Sequence, residues 1–474
     1  MTITIKRGAL RARLSPELAV GLAAVTVLLP GPAVWAQTVQ NSPDKTPAGQ
    51  GASNADAASP APPQAFAIHG QFDITEQGNF AFRSPYAGPN SLDGGGEVRE
   101  TTDATLFVGV RPWAGGELWA NPEIDQGFGL SDTLGLAGYS NAQGAKVGQA
   151  APYFKLQRLF FRQTIDLGGS RQAVDAQANQ LAGSQTDDRL VLTLGKFSVV
   201  DVFDANDYAH DPRADFLNWS IVDTGSFDYA ADAWGYTIGA AAEWYVGRWA
   251  LRGGVFNLSA VPNGAALEYD FDEYQLDGEL EERHQWAGHA GKVVVTWYLT
   301  QGRMARFADA IALGEATGAP ADVSKVRRFR GRQGFSVNLQ QELTDSLGVF
   351  VRGGIADGSL EPYEYTDIDR TIVVGLSLKG SKWSRGDDTV GLAAVVNGIS
   401  KVHEEYLNDG GLGILVGDGK LPHPGPEAIV ESYYSWAAVK GAHLAFDYQF
   451  VENPAYNRDR GPVSILSVRL HAAF

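Results

Sequence analysis

Hydrophobic and polar residues alternate along most of the chain after residue 65. In the segment that begins at Phe66, apolar residues such as Ile68 and Phe72 alternate with polar residues such as His69 and Asp73. A period of two is the signature of a β-strand that has one apolar and one polar face. About sixteen segments repeat this pattern, and it therefore predicts an all-β protein.

The length of these segments favours a membrane barrel over a soluble β-sandwich. Many run for about nine to twelve residues, which is close to what a tilted strand needs to cross a bilayer and longer than common soluble strands. An even strand number is typical of bacterial outer-membrane barrels, and so is an aromatic last residue such as Phe474. We therefore predict a transmembrane antiparallel β-barrel of about sixteen strands over residues 66–474.

The connections between the segments mostly alternate between short and long, as short turns at one membrane face and longer loops at the other require. The short joins are residues 111–116, 245–249, 343–347 and 439–441. The long joins are residues 77–100, 122–152, 196–233, 300–328 and 400–426. The join over residues 168–187 breaks the rhythm, because it should be a short turn and is long. Residues 306–316 are predicted to form a short helix on or in the pore.

One long connection, the acidic stretch of residues 196–234, is unusual in composition. It carries eight aspartates and one arginine, Arg213, interleaved with aromatic residues such as Tyr208 and Trp219. A loop of this length is usually functional or disordered, and the aromatic residues argue against disorder. We predict that this stretch folds into the barrel and narrows it, the alternative being an ordinary solvated outer loop.

Composition excludes several classes of function. The chain has 474 residues, a net charge of −17 and no cysteine. The acidic surplus argues against a nucleic-acid partner, and the absence of cysteine removes thiol nucleophiles and cysteine-ligated metals. Glu279 and Glu281 resemble the paired acids of glycosidases, but neighbouring acids on one strand are more typical of a polar lumen stripe. We therefore predict a protein without catalytic activity, metal or cofactor.

The amino-terminal region predicts export. Four basic residues within residues 6–13 precede an apolar run over residues 18–29, and the pattern is that of a bacterial secretory signal over residues 1–36, cut after Ala36. The apolar run is too short to span a membrane. Residues 37–65 contain almost no large apolar side chain, which predicts a flexible periplasmic lead-in. The expected location is the outer membrane of a Gram-negative cell.

Several long motifs occur in a recognisable order. They are ELWANPEIDQGFGLSDTLGLAGYSN, DVFDANDYAHDPRADFLNW, DAWGYTIGAAAEW, EPYEYTDIDRTIVVGLSLKG, WSRGD and NPAYNRDRGPVSILSVRLHAAF. In these motifs, over about four fifths of its length, the chain resembles the carbohydrate-selective porins of the OprB family, outer-membrane channels for sugars. The resemblance implies a sixteen-stranded barrel with inward loops and passive sugar transport.

Candidate pore-lining residues follow from strand parity and from the acidic stretch. Transport of a sugar asks for polar groups that replace water and for aromatic faces that pack against a pyranose. The strand candidates are Arg158, Arg162, Arg252, Glu279, Glu281, Arg352, Glu431 and Arg469. The acidic stretch adds Asp204, Asn206, Asp207, Asn218 and Trp219. Each could instead have a structural role, as a cross-strand pair that fixes the wall or as a turn former.

The aspartates of the acidic stretch need partners if the stretch lies inside a narrow passage, because like charges repel strongly there. We predict Arg158, Arg162 and Arg252 as those partners. Paired charges would cancel as a field yet still offer hydrogen bonds to an uncharged polyol.

Three functions remain open from the sequence. The first is a carbohydrate-selective channel for mono- and oligosaccharides, the second a general cation-preferring diffusion porin, and the third a surface scaffold or adhesin. The expected partners are sugars as solutes and outer-membrane lipid, with no nucleic acid. The sequence leaves open whether the protein is a monomer or a homotrimer.

Overall fold

The computed structural model describes residues 63–144 and 148–474. The predicted signal peptide and nearly all of the predicted lead-in therefore lie outside the described residues. The three described lead-in residues have no regular secondary structure, yet Gln64 N donates to Ala182 O (2.9 Å) and Ala65 O accepts from Arg111 N (2.9 Å). The described part of the chain thus makes its first barrel contacts just before the first strand.

Sixteen antiparallel strands follow, as the alternating pattern predicts. They are β1 Phe66–Asn79, β2 Glu97–Val110, β3 Gly116–Gly127, β4 Gln149–Val174, β5 Gly183–Phe197, β6 Thr237–Val246, β7 Trp249–Asn257, β8 Tyr274–Trp286, β9 His289–Met304, β10 Arg328–Thr344, β11 Leu347–Ala356, β12 Arg370–Gly380, β13 Arg385–Gly398, β14 Glu427–Val439, β15 Ala442–Glu452 and β16 Val463–Ala473. Each strand pairs with its neighbours in sequence.

The sheet closes on itself through its first and last strands. β1 pairs with β16 from Gln71 opposite Ala473 to Asn79 opposite Ile465, and the backbone N of Phe474 donates to Gly70 O at 2.9 Å. Closure leaves no strand edge with unpaired N–H and C=O groups, which hydrocarbon would not solvate. The predicted closed barrel of about sixteen strands is confirmed.

The two faces of the wall are divided as the strand parity predicts. On β1 the side chains of Phe66 and Ile68 are about half exposed, at 51% and 54%. The alternating Asp73 and Thr75 are fully buried inside the barrel. This distribution, with apolar groups outward and polar groups inward, is the one a barrel in lipid requires.

The connections at the two ends of the barrel differ. At one end, here the turn end, tight turns join β2 to β3, β6 to β7, β8 to β9, β10 to β11, β12 to β13 and β14 to β15. The other end, here the loop end, carries the long connections. The irregular join of residues 168–187 belongs to the turn end, where β4 and β5 stay paired as far as Val174 opposite Gly183. The loop itself is therefore only residues 175–182, at the tip of an extended hairpin.

Among the described residues, three short α-helices lie in the long connections, namely α1 Trp219–Val222, α2 Phe307–Thr317 and α3 Lys401–Asn408. The predicted helix over residues 306–316 is confirmed as α2, and it packs on α3 at the loop end. The ring of Phe307 stacks on His403 with centroids 4.2 Å apart and contacts Tyr406 at 4.8 Å. Within the described residues, every helix is too short or too polar to cross a membrane.

Candidate functional site

The connection between β5 and β6, residues 198–236 and here the constriction loop, folds into the barrel as predicted. It begins with a 3₁₀ turn at Val199–Asp201 and contains α1, whose first turn is capped by Asn218. Phe203, Trp219 and most of the loop's apolar side chains are buried. A hydrophobic core thus forms inside the barrel, between the loop and the wall.

Two acidic side chains of the wall hold the backbone of this loop. Glu431 accepts hydrogen bonds from the backbone N of Leu217 (2.5 Å) and of Asn218 (3.0 Å). Glu279 accepts one from the backbone N of Asp204 at 2.8 Å. Both carboxylates are buried, and each satisfies N–H groups that would otherwise lack partners inside the barrel.

Two arginines of the wall hold the loop through its carbonyl oxygens. Arg352 donates to Ile221 O (2.5 Å) and to Asp204 O (3.1 Å), and Arg469 donates to Asp215 O (3.0 Å). Charge-assisted hydrogen bonds of this kind are about twice as strong as neutral ones. These two candidates therefore anchor the loop to β11 and β16.

The remaining polar candidates of the loop also contact the wall. Asn206 Nδ2 donates to Asn338 Oδ1 (2.8 Å), and Asp207 N donates to Gln340 Oε1 (2.8 Å). The Asp207 carboxylate lies 3.6 Å from Lys292 Nζ. The loop is therefore fixed along its length by side chains of β9, β10 and β11.

The predicted pairing of the wall arginines with the loop aspartates is only partly correct. Arg158 forms a bidentate ion pair with Asp201, with N–O distances of 2.6 and 2.7 Å. Arg162 instead pairs with Glu117 on β3 at 2.6 Å, because that strand lies next to its own. Arg252 is likewise taken by acids of the adjacent strands, at 2.8–3.1 Å from Glu243, Glu279 and Glu281.

Other cations take the places predicted for Arg162 and Arg252. Further ion pairs of the loop aspartates are Asp204 with Arg352 (3.7 Å), Asp207 with Lys292 (3.6 Å), Asp228 with Arg332 (3.3 Å) and Asp232 with Lys196 (3.0 Å). For these four aspartates, cations from four different strands meet the expectation that a buried charge needs a partner.

A cavity of about 160 Å³, here the chamber, lies between the constriction loop, the β3–β4 wall and the β11–β12 loop. Aromatic rings surround much of it, namely Tyr139, Trp219, Tyr229, Trp234, Tyr236 and Tyr365. Trp219 stacks on Tyr139 with centroids 5.3 Å apart, and Tyr229 meets Tyr365 edge to face at 5.0 Å. The contacts between the rings hold them in fixed orientations.

Charged groups complete the lining of the chamber. The acids are Glu123, Asp125, Asp201, Asp211, Asp223 and Asp232, and the basic residues are Arg158, Arg213 and His210. Arg158 also donates to Tyr236 OH at 3.4 Å, and Arg213 donates to Asp103 at 3.2 Å. The chamber is therefore polar and acidic, with its two arginines held in place by carboxylates.

Asp223 is the chamber acid with the most unusual environment. Burial, and then the charge of Asp204, raise the pKa of Asp223 to about 7, against the opposing effect of Arg352. Tyr229 donates to Asp223 Oδ2 (3.0 Å), and His210 Nδ1 lies 3.8 Å from Oδ1. Burial, and next the charge of Arg352, lower the pKa of His210 and so favour its neutral form.

Two further cavities continue from the chamber toward the turn end. The exit cavity, of about 70 Å³, shares Arg158 and Asp201 with the chamber. The vestibule, of about 670 Å³, shares Arg162 and Glu243 with the exit cavity. Because successive cavities share lining residues, they lie one after another along the inside of the barrel and outline a candidate passage.

All thirteen sequence candidates lie inside the barrel, but they divide into two groups. Arg158 and Trp219 line the chamber, and Arg158 and Arg162 line the exit cavity. The other candidates make the wall-to-loop or wall-to-wall contacts described above. Parity locates a side chain inside the barrel but not at a particular height along it.

The sequence reasoning missed most of the chamber's aromatic residues. Tyr139, Tyr229, Trp234, Tyr236 and Tyr365 were outside the set of candidates, as was Arg213. All of these aromatic residues except Tyr229 lie in motifs that carry the family resemblance, in GLAGYSN, DAWGY and EPYEYTD. Their place in those motifs was the available signal.

The chamber combines the groups that recognise a neutral polyol. Aromatic faces pack against the C–H groups of a pyranose, and bidentate carboxylate and guanidinium groups exchange hydrogen bonds with its hydroxyls. Among the described residues, arginine, glutamate and amide groups line both cavities beyond the chamber, so water can solvate a solute there.

Comparisons with known proteins agree with this geometry. The family model of the carbohydrate-selective porins, OprB family, matches residues 90–474. The high-pH structure of Pseudomonas putida OprB has a TM-score of 0.65 at 13% identity, covering 86% of this chain and 94% of that one. A search of curated protein sequences finds no match.

Two further solved structures are similar over much of the chain. The low-pH structure of Pseudomonas putida OprB has 10% identity and a TM-score of 0.47, covering 86% of this chain and 93% of that one. The outer-membrane channel DcaP of Acinetobacter baumannii has 9% identity and a TM-score of 0.48, covering 86% of this chain and 97% of that one. On the family match, the chain belongs to the carbohydrate-selective porin family OprB and is an outer-membrane porin for carbohydrates.

Proposed function

We propose that the chamber is the carbohydrate filter of this porin. The observation that carries the proposal is the Arg158–Asp201 pair, which lines both the chamber and the exit cavity beside the aromatic group. A sugar that moves from one cavity to the next must pass this pair and can exchange hydrogen bonds with it. Arg162, Trp219 and the aromatic residues of the chamber are the other proposed contacts.

Replacing Arg158 with alanine is expected to weaken block of the ion current by sugars and to increase cation selectivity. The variant loses charge-assisted hydrogen bonds and leaves Asp201 unpaired, so the sugar concentration for half-block should rise roughly tenfold. Single-channel recording in planar bilayers with graded glucose and maltose measures the block, and reversal potentials in a salt gradient measure the selectivity.

The matched control for this experiment is Arg303→Ala. Arg303 is largely exposed near the loop end of β9, and its replacement removes the same charge. Its half-block concentration should stay within about twofold of the unmodified porin. Unchanged block in Arg158→Ala, or strong cation selectivity without any sugar block in the unmodified porin, would favour the general cation-preferring porin instead.

The ion selectivity of the filter should depend on pH through Asp223. With its pKa at about 7, Asp223 is mostly neutral at pH 6 and mostly charged at pH 8, so cation selectivity should rise between these values. His210, Tyr229, Tyr139, Asp204 and Arg352 surround Asp223, and burial lowers the pKa of His210, which favours its neutral form. Asp223→Asn should flatten the reversal-potential profile between pH 6 and 8, whereas an unchanged slope would assign the effect to another group.

We also propose that this porin has no catalytic activity. Glu279 and Glu281 both bind the guanidinium of Arg252, at 2.8 and 3.1 Å, which supports a porin without hydrolytic activity. His289 lies 3.5 Å from Glu342 at a tight turn, and the proposed function uses no metal there.

Short turns of outer-membrane barrels face the periplasm, so the turn end is assigned as periplasmic and the loop end as extracellular.

The proposed organisation of the chain is a signal peptide over residues 1–36, a periplasmic lead-in over residues 37–65 and the barrel over residues 66–474. Sequencing the amino terminus of the mature protein tests the cut after Ala36.

Apolar residues on the outer wall are proposed to contact outer-membrane lipid. One chain holds the whole passage, so conduction needs no second copy, and sedimentation in detergent distinguishes a monomer from a homotrimer.

A further inference from the structure

The tip of the β4–β5 hairpin, residues 175–182 and here the hairpin tip, folds back into the periplasmic end of the barrel. Gln177 and Gln180 form an antiparallel bridge, and Asn179 between them adopts a left-handed turn with φ 58°. Leu181 is 1% exposed within the interior core, and Ala178 packs against the same core. The tip therefore occupies the inside of the pore mouth and does not project into the periplasm.

An ion-pair cluster on the wall holds the tip. Glu117 pairs with Arg162 at 2.6 Å and with Arg111 at 3.1 Å. Arg162 also donates to the backbone O of Asn179, and Glu117 accepts from the backbone N of Leu181 at 3.4 Å. The charged groups thus bind each other and the backbone of the tip.

The end of the tip has a second set of contacts. Arg111 donates to Leu181 O (3.3 Å) and Ala182 O (3.2 Å). Ala182 also exchanges two hydrogen bonds of 2.9 Å with Gln64, just before β1. The half of the hairpin tip that leads into β5 is therefore anchored to the wall and to Gln64.

The tip forms much of the lining of the exit cavity. Four of its residues line that cavity, namely Gln177, Ala178, Asn179 and Gln180, opposite Thr193, Arg162 and Glu243 on the wall. At about 70 Å³ the exit cavity is smaller than the chamber, at about 160 Å³, and the vestibule, at about 670 Å³. Along this passage the smallest space is thus the one that the tip closes.

The exit cavity also has a free polar group. Among the residues that the structure describes, the buried Oδ1 of Asn179 has no hydrogen-bond donor within reach. A buried acceptor without a donor is costly, and a hydroxyl group of a solute would satisfy it once the Asn179 side chain turns toward the cavity. The side chains of Gln177 and Thr193 offer further neutral hydrogen-bonding groups in the same cavity.

We propose that the hairpin tip is a second, periplasmic constriction that sets the size limit for oligosaccharides and binds their hydroxyl groups through its amides. The choice of oligosaccharides as the solute rests on the proposed function of the chamber. The constriction itself rests only on the geometry of the tip. The chamber recognises the sugar, and the tip limits the length and width of the solute that leaves the pore.

The direct test shortens the hairpin. β4 and β5 are paired at Val174 and Gly183, so an Asn-Gly pair can replace residues 175–182 as a two-residue turn. Neutral polyethylene glycols of graded size are added to one side of a bilayer at a time, and the conductance reports which sizes enter from that side. The exclusion limit should rise on the periplasmic side only, with conductance increased about twofold.

Sugar fluxes into liposomes separate this proposal from the proposed function. The shortened porin should pass a trisaccharide faster relative to glucose, while half-block by sugar stays as in the unmodified porin. If the unmodified porin shows no sugar block, the chamber proposal fails, yet the one-sided polymer result still decides the role of the tip. An unchanged periplasmic exclusion limit would overturn the second constriction.

A point variant covers the case in which the shortened barrel does not assemble. Leu181→Ser places a hydroxyl in the buried contact of the tip and should raise the periplasmic exclusion limit in the same direction. Leu167→Ser is its control, because Leu167 is 55% exposed on the same hairpin. Equal exclusion limits for Leu181→Ser, Leu167→Ser and the unmodified porin would also overturn the proposal.

Discussion

Replacing Asp228 with alanine is expected to release the middle of the constriction loop and to give a larger, fluctuating conductance. Asp228 is fully buried and pairs with the equally buried Arg332, with an N–O distance of 3.3 Å. Its carboxylate also accepts hydrogen bonds from the backbone N of Tyr363 (2.6 Å) and of Glu364 (3.0 Å). One side chain thus joins the constriction loop, the wall and the β11–β12 loop.

The expected effect is large because the alanine variant leaves a buried charge. Removing one partner of a buried ion pair typically costs about 3–5 kcal/mol, and the backbone N–H groups of Tyr363 and Glu364 lose their acceptor as well. Arg332 keeps Asp369 at 3.6 Å, which offsets only part of the loss. The constriction loop should therefore detach from the wall in a measurable fraction of molecules, while the barrel itself stays closed.

Single-channel recording and limited proteolysis of the folded porin check this prediction. The variant should show frequent transitions to higher conductance and faster cleavage within residues 198–236. Asp272→Ala is the control, because Asp272 is an exposed acid whose loss should change stability by less than about 0.5 kcal/mol. Quiet channels with unmodified conductance and cleavage rate in Asp228→Ala would contradict the anchoring role.

The barrel itself follows from local physics that a sequence displays. A strand in a lipid-facing wall must alternate, so residues such as Phe66 and Asp73 reveal both the strand and its two faces. Closure needs no further information, since unpaired edges are not tolerated in hydrocarbon. The strand number, the inward loop and the lumen side of all strand candidates could be predicted for these reasons.

The pairing of charges could not be predicted in the same way, because it depends on the height of each residue along the barrel. Arg158 and Arg252 have the same facing by parity, yet the register places Arg252 beside Glu279 and Arg158 opposite the start of the constriction loop. The chamber depends in addition on how three loops meet. Tyr139 and Tyr365 are far apart in sequence and come together only through α1, whose Trp219 contacts both.

The hairpin tip shows a second limit of sequence reasoning. Loop length alone made residues 168–187 an exception to the alternation of short and long joins. The pairing of Val174 with Gly183 shows that most of this join is strand, and only the tip is loop. Strand residues beyond the bilayer lose the lipid-facing alternation, because both of their faces meet water or protein, and the pattern therefore gave no signal there.

The facing of the wall leads to the second prediction, in which Leu376→Arg impairs folding into lipid and Ser377→Arg does not. Leu376 lies near the centre of β12 and is paired with Val349 and Leu392 on the adjacent strands, so its side chain faces lipid. Ser377 is 8% exposed and faces the lumen. An arginine near the midplane on the lipid side costs about 2–4 kcal/mol, whereas a lumen arginine keeps contact with water.

Urea titration of the porin in phospholipid vesicles measures this difference. Leu376→Arg should lose about 2–4 kcal/mol of folding free energy, and Leu444→Arg on β15 should behave alike if it lies near the midplane. Ser377→Arg should fold with a loss below about 1 kcal/mol and change the single-channel conductance instead. Gln449, on the lumen side of β15, is a poor site for the control because its amide donates to Ser140 O and accepts from Asn218, which fixes the constriction loop. Equal losses for Leu376→Arg and Ser377→Arg would contradict the assigned facing of β12. A larger loss for Ser377→Arg would mean that β12 presents its other face to the membrane.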